Sequence, residues 1–177
     1  MHSRKNAILK YSLISLLFIN ATLMITNKAE EYIQELTVDN VSKEFNKQLN
    51  CLTENIYYEA GSESYEGKLA VAQVTLNRVN SGKFPTSICN VVGQKNVING
   101  SLVCQFSWTC KKELQHPNRY LWEECLYVAR KALTNPYAHD ILYKQNALYY
   151  HANYVSPGWH LMRIGQIGNH IFYKEKT

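Results

Sequence analysis

Asn55-Ile56-Tyr57-Tyr58-Glu59-Ala60-Gly61-Ser62-Glu63-Ser64-Tyr65-Glu66-Gly67 sets an acid among aromatic residues at the point where a helix has to end. The residues before it read as helical, and Gly61-Ser62 is a stop signal. Glu59 then falls near a helix C-terminus, where the macrodipole and the unpaired carbonyls disfavour negative charge. Partial desolvation by Tyr57, Tyr58 and Tyr65 would push the same way, toward the protonated carboxyl. A Glu held protonated near neutral pH is what general-acid cleavage of a glycosidic bond needs. The plainer reading, a solvated acid on a surface helix, is the default for a carboxylate. Spacing alone does not choose between them.

Outward from this stretch, Leu69, Ala72, Leu76 and Val79 recur at helical spacing until Ser81-Gly82 and Pro85 close the segment. Thr86 is the expected cap of a short helix through Val92. Residues 93–118 hold no sustained period and many polar groups, which predicts a long ordered loop, with room for a hairpin. Loops of that length inside a compact domain are usually functional. A further helix is expected from Tyr120 to Leu133, buried along Leu121, Cys125, Val128, Ala129 and Ala132 and ended by Asn135-Pro136. Ala147–Tyr150 and Ile171–Tyr173 read as short strands. Helices with a small sheet late in the chain give an α+β domain.

The chain has 177 residues, of which 46% are apolar, enough for one domain with a real core plus extensions. Its net charge of +5 suits a polyanionic partner such as a bacterial wall, but no block of Lys and Arg points to nucleic acid. Thirteen tyrosines and three tryptophans are the more unusual balance, since such rings stack on the C–H faces of sugars. Arg4, Lys5 and Lys10 precede an apolar run from Tyr11 to Ile25, the order of an export signal. Residues 1–29 are therefore expected to be a signal peptide or a membrane anchor, with tethering through residues 11–25, although a span needs about 20 apolar residues. Residues 30–50 are polar and charged and read as a linker or amphipathic lead-in, and 51–177 as the functional domain. Five cysteines, Cys51, Cys89, Cys104, Cys110 and Cys125, leave at least one free or paired with another chain. One or two disulfides fit an exported protein, at least one of them among Cys89, Cys104 and Cys110.

The ordered blocks of this chain resemble the SleB-type cell-wall hydrolases, the spore cortex-lytic enzymes and their bacterial and phage relatives. The matching pieces are Asn55-Ile56-Tyr57-Tyr58-Glu59-Ala60 with Glu63, then Val71-Ala72-Gln73-Val74 with Leu76-Asn77-Arg78-Val79. Phe84-Pro85 with Ile88-Cys89-Asn90-Val91-Val92, and Cys104-Gln105-Phe106-Ser107-Trp108-Thr109-Cys110, follow in the family's order. Tyr149-Tyr150-His151-Ala152, Pro157-Gly158-Trp159 and Gly168-Asn169-His170-Ile171-Phe172-Tyr173 complete it, from Cys51 nearly to the end.

The resemblance implies a lysozyme-like, lytic-transglycosylase-like helical core with a small antiparallel sheet. It implies cleavage of peptidoglycan between N-acetylmuramic acid and N-acetylglucosamine. With the N-terminus and the cysteines, an exported domain of the periplasm or cell envelope is expected, monomeric and without cofactor. Glu59 matches the family's catalytic acid. It would protonate the glycosidic oxygen and then, as carboxylate, deprotonate the muramyl C6 hydroxyl as a 1,6-anhydro ring closes. No second carboxylate is needed, unlike in most glycosidases. The substrate-facing residues expected are Tyr58, Glu63, Gln105, Phe106, Ser107, Tyr150, His151 and Trp159. The chain departs from the family pattern twice: Gly61-Ser62 replaces the usual Arg-Gly, and Lys111-Lys112 replaces a frequent Asp-Gly.

Competing readings attach to several of these residues. Glu59 and Glu63 on one helix face would have Cβ atoms about 5–6 Å apart, close to a retaining glycosidase pair, but the helix break favours an orienting role for Glu63. Gln105–Trp108 form either a rigid cleft wall or a hydrophobic plug under the loop, and Trp159 either a sugar platform or a lid on the core. His151, His160 and His170 raise the question of a zinc amidase. They lack a His-x-x-x-His core, and no acid falls between Asp140 and Glu175, so no metal site is expected. A Cys-His peptidase using Cys51 or Cys104 with His151 would need an unpaired, activated thiol. A non-catalytic peptidoglycan-binding module is the alternative from outside enzymology, motivated by the two departures.

Overall fold

The computed structural model describes residues 2–176 except 99, 112–117, 136 and 138, with side chains described from residue 20 onward except 21. In chain order the elements are α1 (His2–Ala60), α2 (Tyr65–Asn80), α3 (Ile88–Val92), β1 (Lys95–Ile98) and β2 (Ser101–Cys104). A 3-10 turn (Ser107–Cys110), α4 (Arg119–Thr134), α5 (Asp140–Lys144), β3 (Tyr149–Ala152), β4 (Met162–Ile167) and β5 (His170–Lys174) follow.

The chain divides into two compact units, Met1–Glu44 and Phe45–Thr177. In the first, the backbone is helical from His2, and the apolar side chains Leu23, Met24, Ile25, Ile33 and Val41 are exposed. Residues 30–50 are helical. Among the described residues no helix is long and apolar enough to cross a membrane.

In the second unit α2 is the central element, because apolar residues leave it in two directions. Leu69, Ala72 and Leu76 join Leu49, Leu52 and Ile56 of α1 and Cys125, Val128, Ala129 and Ala132 of α4 in one core, with Phe106 and Trp108 against it. Ala70 and Val74 join Leu142, Ala147 and Phe172 in a second. A helix surrounded in this way has to bury its polar residues too, and each such group must then find a partner. Thr75 accepts from Asn55 at 3.1 Å. Gln73 donates to Asn77 at 3.0 Å, and Asn77 donates to the carbonyls of Leu142 and Ala147 at 3.0 and 2.9 Å. Lys68 donates to the Glu63 carbonyl at 2.7 Å and pairs with Glu124 at 3.0 Å. These bonds fix α2 against α1, α4 and the approach to β3.

Ser64 starts α2 by accepting from the Gly67 amide at 3.3 Å, and Ser87, not Thr86, caps α3 through the Asn90 amide. The expected loop 93–118 contains a hairpin, β1 against β2, with Val97 opposite Leu102. The helix expected at 120–133 is α4, with the expected residues Cys125, Val128, Ala129 and Ala132 buried. The late strands form an antiparallel sheet in the order β3-β5-β4. Its middle strand β5 pairs Phe172 with Tyr150 and His151 with Ile171. The strand β4 had not been expected: Arg163, Gly165 and Gln166 break its alternation, and a register shift falls between Arg163 and Gly165. The small α5 was likewise not foreseen.

Cys104–Cys110 is one of the expected disulfides and closes the loop after β2. The second, Cys51–Cys89, joins α1 to α3 and brings in Cys51, which lies outside the expected set of Cys89, Cys104 and Cys110. Both candidate nucleophiles of the Cys-His alternative, Cys51 and Cys104, are therefore bonded. Cys125 is free and buried, and burial pushes its thiol up to about 11, far from an activated thiolate.

Candidate active site

Glu59 is the penultimate residue of α1, whose last turn carries no basic residue to offset the dipole. The chain leaves the helix through Gly61, and a Cβ there would lie 2.5 Å from the Tyr57 carbonyl oxygen and 3.2 Å from Leu121. The backbone at Gly61 thus leaves no room for a side chain. The Glu59 carboxyl is largely withdrawn from solvent, and burial raises it above the usual carboxylate range. Two groups oppose that rise: the Tyr150 hydroxyl, donating to Oε2 at 3.2 Å, and the positive charge of Arg78. Burial prevails. Tyr150 itself is pushed well above its ordinary value by burial and by Glu59, so it stays a donor. Its ring is held edge-on to His170 at 5.2 Å and against Phe172 at 5.7 Å.

Tyr58 stacks on Trp108 at 4.7 Å, which fastens the disulfide-closed loop to the end of α1. Tyr57 meets Tyr58 edge-on and accepts from the Asn118 amide at 2.9 Å, while Tyr65 packs on Tyr127 of α4. Gln105 is half-buried, Phe106 and Trp108 are buried, and Ser107 is exposed at the start of the 3-10 turn. Of the two residues that replace Asp-Gly, Lys111 is exposed and Lys112 lies outside the described residues.

Arg78, not among the substrate-facing residues expected from the sequence, lies beside these residues in the structure. It is 3% exposed, donates from Nε to the Leu148 carbonyl at 2.8 Å, and lies 5.0 Å above the Phe84 ring and 5.3 Å above that of Phe106. With the Gln105 amide oxygen turned toward it, both Nη atoms donate to that oxygen at 3.2 Å. An Arg in an otherwise apolar helical period is the signal that could have marked it.

The remaining expected residues are placed elsewhere. Side chains alternate between the faces of a strand, so His151 points away from the face that carries Tyr150. His151 stacks on Tyr173, with its Nε2 2.9 Å from the Tyr173 hydroxyl, and Trp159 meets both rings edge-on. Glu63 turns its carboxylate to Asn169 in the β4–β5 turn, accepting from the backbone amide at 3.2 Å and from Nδ2 at 2.9 Å. Gly168 precedes that turn residue with φ 54°, and a Cβ there would collide with the Glu63 carboxylate. The structure thus gathers Glu59, Tyr58, Tyr150, Gln105 and Phe106, and sets His151 and Trp159 on the other face of the sheet. Among the described residues no group of three His, Cys, Asp or Glu side chains is placed to hold a metal ion.

Residues 62–173 match the model of the Cell Wall Hydrolase family, more than half of the chain. The chain belongs to this family. The spore cortex-lytic enzyme of Oceanobacillus iheyensis is 33% identical over 129 residues, covering 71% of this chain and 41% of that protein. The spore cortex-lytic enzyme of Bacillus subtilis is 45% identical over 47 residues, covering 27% of this chain and 15% of that protein. The chain therefore spans less than half the length of either relative. Two solved structures share its fold. The catalytic domain of the germination-specific lytic transglycosylase SleB from Bacillus anthracis has a TM-score of 0.52 at 26% identity, covering 72% of this chain and 93% of that one. The catalytic domain of the Bacillus cereus SleB protein has a TM-score of 0.50 at 26% identity, covering 73% and 91%. In this cell wall hydrolase the family match begins at residue 62, just past Glu59.

Proposed function

We propose that this domain cleaves the glycan strands of peptidoglycan between N-acetylmuramic acid and N-acetylglucosamine as a lytic transglycosylase, with Glu59 as its single acid/base. The observation that carries the reading is the Glu59 carboxyl, held above the usual range by burial yet bonded by Tyr150 and facing the charge of Arg78. Such a group is available as an acid and is stabilised as a carboxylate once its proton has left.

Glu59 gives its proton to the glycosidic oxygen as the bond to muramyl C1 breaks, releasing the 4-hydroxyl of N-acetylglucosamine. Positive charge develops at C1, and the C6 hydroxyl of the same sugar attacks it. The Glu59 carboxylate takes the C6 hydroxyl proton as the 1,6-anhydro ring closes, which restores the acid and consumes no water. An internal nucleophile is present at high effective concentration, so no second carboxylate has to hold a water. Tyr58, Gln105, Phe106 and Ser107 are proposed as the wall on the Glu59 side, with the Gln105 amide and the Ser107 hydroxyl suited to acetamido groups. Glu63 is proposed to act by holding the β4–β5 turn. His151 and Trp159 are given no part in bond cleavage.

Mass spectrometry of digested peptidoglycan tests the reading. Anhydro-muramyl ends support it. Reducing ends would make the domain a hydrolase, cut stem peptides an amidase or peptidase, and an undigested but bound wall a binding module.

We also infer that the domain works outside the cytoplasm as a monomer, with residues 1–29 as export signal or anchor and 30–50 as lead-in. The basic-then-apolar N-terminus and the two disulfides support export. Fractionation of producing cells, with the N-terminus of the recovered protein sequenced, separates a cleaved signal from a retained anchor.

A further inference from the structure

We infer that Arg78 is a positioning residue of this active site: it ties the Gln105 loop to the entry of the strand that carries Tyr150 and keeps a fixed positive charge acting on the Glu59 carboxyl. This rests on the reading of Glu59 as the acid/base. Taking a guanidinium out of water is costly, and a neutral residue of similar volume often serves stability as well or better. Arg78 is nearly inaccessible, yet its direct partners are a main-chain carbonyl, a side-chain amide and ring faces, all neutral. Among the described residues no direct contact cancels its charge, which acts on what lies around it. The titratable groups that bear on Arg78 are Tyr149 and Tyr150 of β3 and Glu59 of α1, and those that bear on Glu59 are Tyr150 and Arg78.

The geometry explains why an arginine stands there. Nε fixes the Leu148 carbonyl, two residues before Tyr150 on the way into β3. The two Nη atoms converge on the Gln105 amide oxygen, while the plane of the guanidinium covers Phe106. One planar fork thus spans both walls of the site, which a lysine ammonium cannot reproduce. The charge favours the carboxylate form of Glu59, the form needed while the proton resides on the leaving sugar. The neutral fork contacts and the charge are separable by substitution.

Arg78→Met removes both charge and fork, and Arg78→Lys keeps the charge alone. The Glu59 carboxyl is followed by carbon-detected NMR of glutamate-labelled full chain, its resonance identified by its loss in Glu59→Gln. Cleavage rates are measured across the same pH range, and melting curves confirm folding. In Arg78→Met the Glu59 midpoint and the alkaline limb of kcat/KM should rise by about one pH unit. In Arg78→Lys the midpoint should stay near wild type while kcat falls by about 10²-fold from misplacement of the walls. An unmoved midpoint in Arg78→Met, or a wild-type kcat in Arg78→Lys, overturns the inference. If Arg78→Met does not fold, the kcat of Arg78→Lys decides. A fully active Glu59→Gln would instead sink the acid/base reading, and the Glu59 midpoint in Arg78→Met would still report whether the charge acts on that carboxyl.

Discussion

Tyr150→Phe removes a single hydroxyl, the one that donates to Glu59 Oε2 at 3.2 Å, and leaves the ring against His170 and Phe172. A hydrogen bond to a charged group is worth about 1.5–3 kcal/mol, and its length places this one at the lower end. At about 1.4 kcal/mol per pKa unit, the Glu59 carboxyl should rise by about one further unit, because the lost donor favoured the carboxylate. The free enzyme must hold Glu59 protonated to begin, so the alkaline limb of kcat/KM moves to higher pH by the same amount. The carboxylate left after the first proton transfer loses its partner, and kcat should fall by about tenfold. The assay is release of anhydro-muropeptides from solubilised peptidoglycan at a series of pH values, with melting curves to confirm packing. An alkaline limb in the wild-type position together with an unchanged kcat would refute the role given to Tyr150.

Other outcomes follow from the same structure. Opening Cys51–Cys89 by paired Ser substitution should destabilise by about 4 kcal/mol and opening Cys104–Cys110 by about 2 kcal/mol, since the first closes the longer loop; denaturant titration measures both, and equal losses would contradict the loop argument. The folded value of Glu59 lies above its ordinary 4.5, so its contribution to stability is full below that value and is lost as pH rises through the folded one. Glu59→Gln should accordingly melt higher than wild type at alkaline pH, and the gain should disappear in acid; a gain independent of pH would contradict the burial cost. A mechanism with an internal C6 nucleophile requires no Lewis acid, so activity should survive dialysis against a strong chelator, and loss restored by added zinc would move the assignment to an amidase.

Much of this was legible in the sequence where local chemistry decides the outcome. Gly61-Ser62 ended α1 at Ala60, the period of Leu121 to Ala132 gave α4, and the closely spaced Cys104 and Cys110 paired across their own loop. What could not be read depended on partners far along the chain. The burial of Lys68, Gln73, Asn77 and Arg78 follows from α2 being wrapped on every side; apolar neighbours at helical spacing mark Arg78, but its partners lie in distant segments. Cys51 finds Cys89 only because α1 and α3 pack together. Alternation within β3 placed Tyr150 beside Glu59 and turned His151 to the other face, a division that needs the sheet's position to be known. Strand β4 carries too many polar and glycine residues for its pattern to announce it, and pairing with β5 holds it in place.

The central claim is that Glu59 delivers the proton. Its most direct test is the initial rate of anhydro-muramyl product formation by wild type and Glu59→Gln on the same purified peptidoglycan, with matched melting curves. The amide is nearly isosteric and cannot act as the acid, and general acid–base catalysis contributes about 10²–10⁴-fold. A fall of at least that order with the fold intact is the predicted result. A variant that forms anhydro products within a few-fold of the wild-type rate would contradict the account.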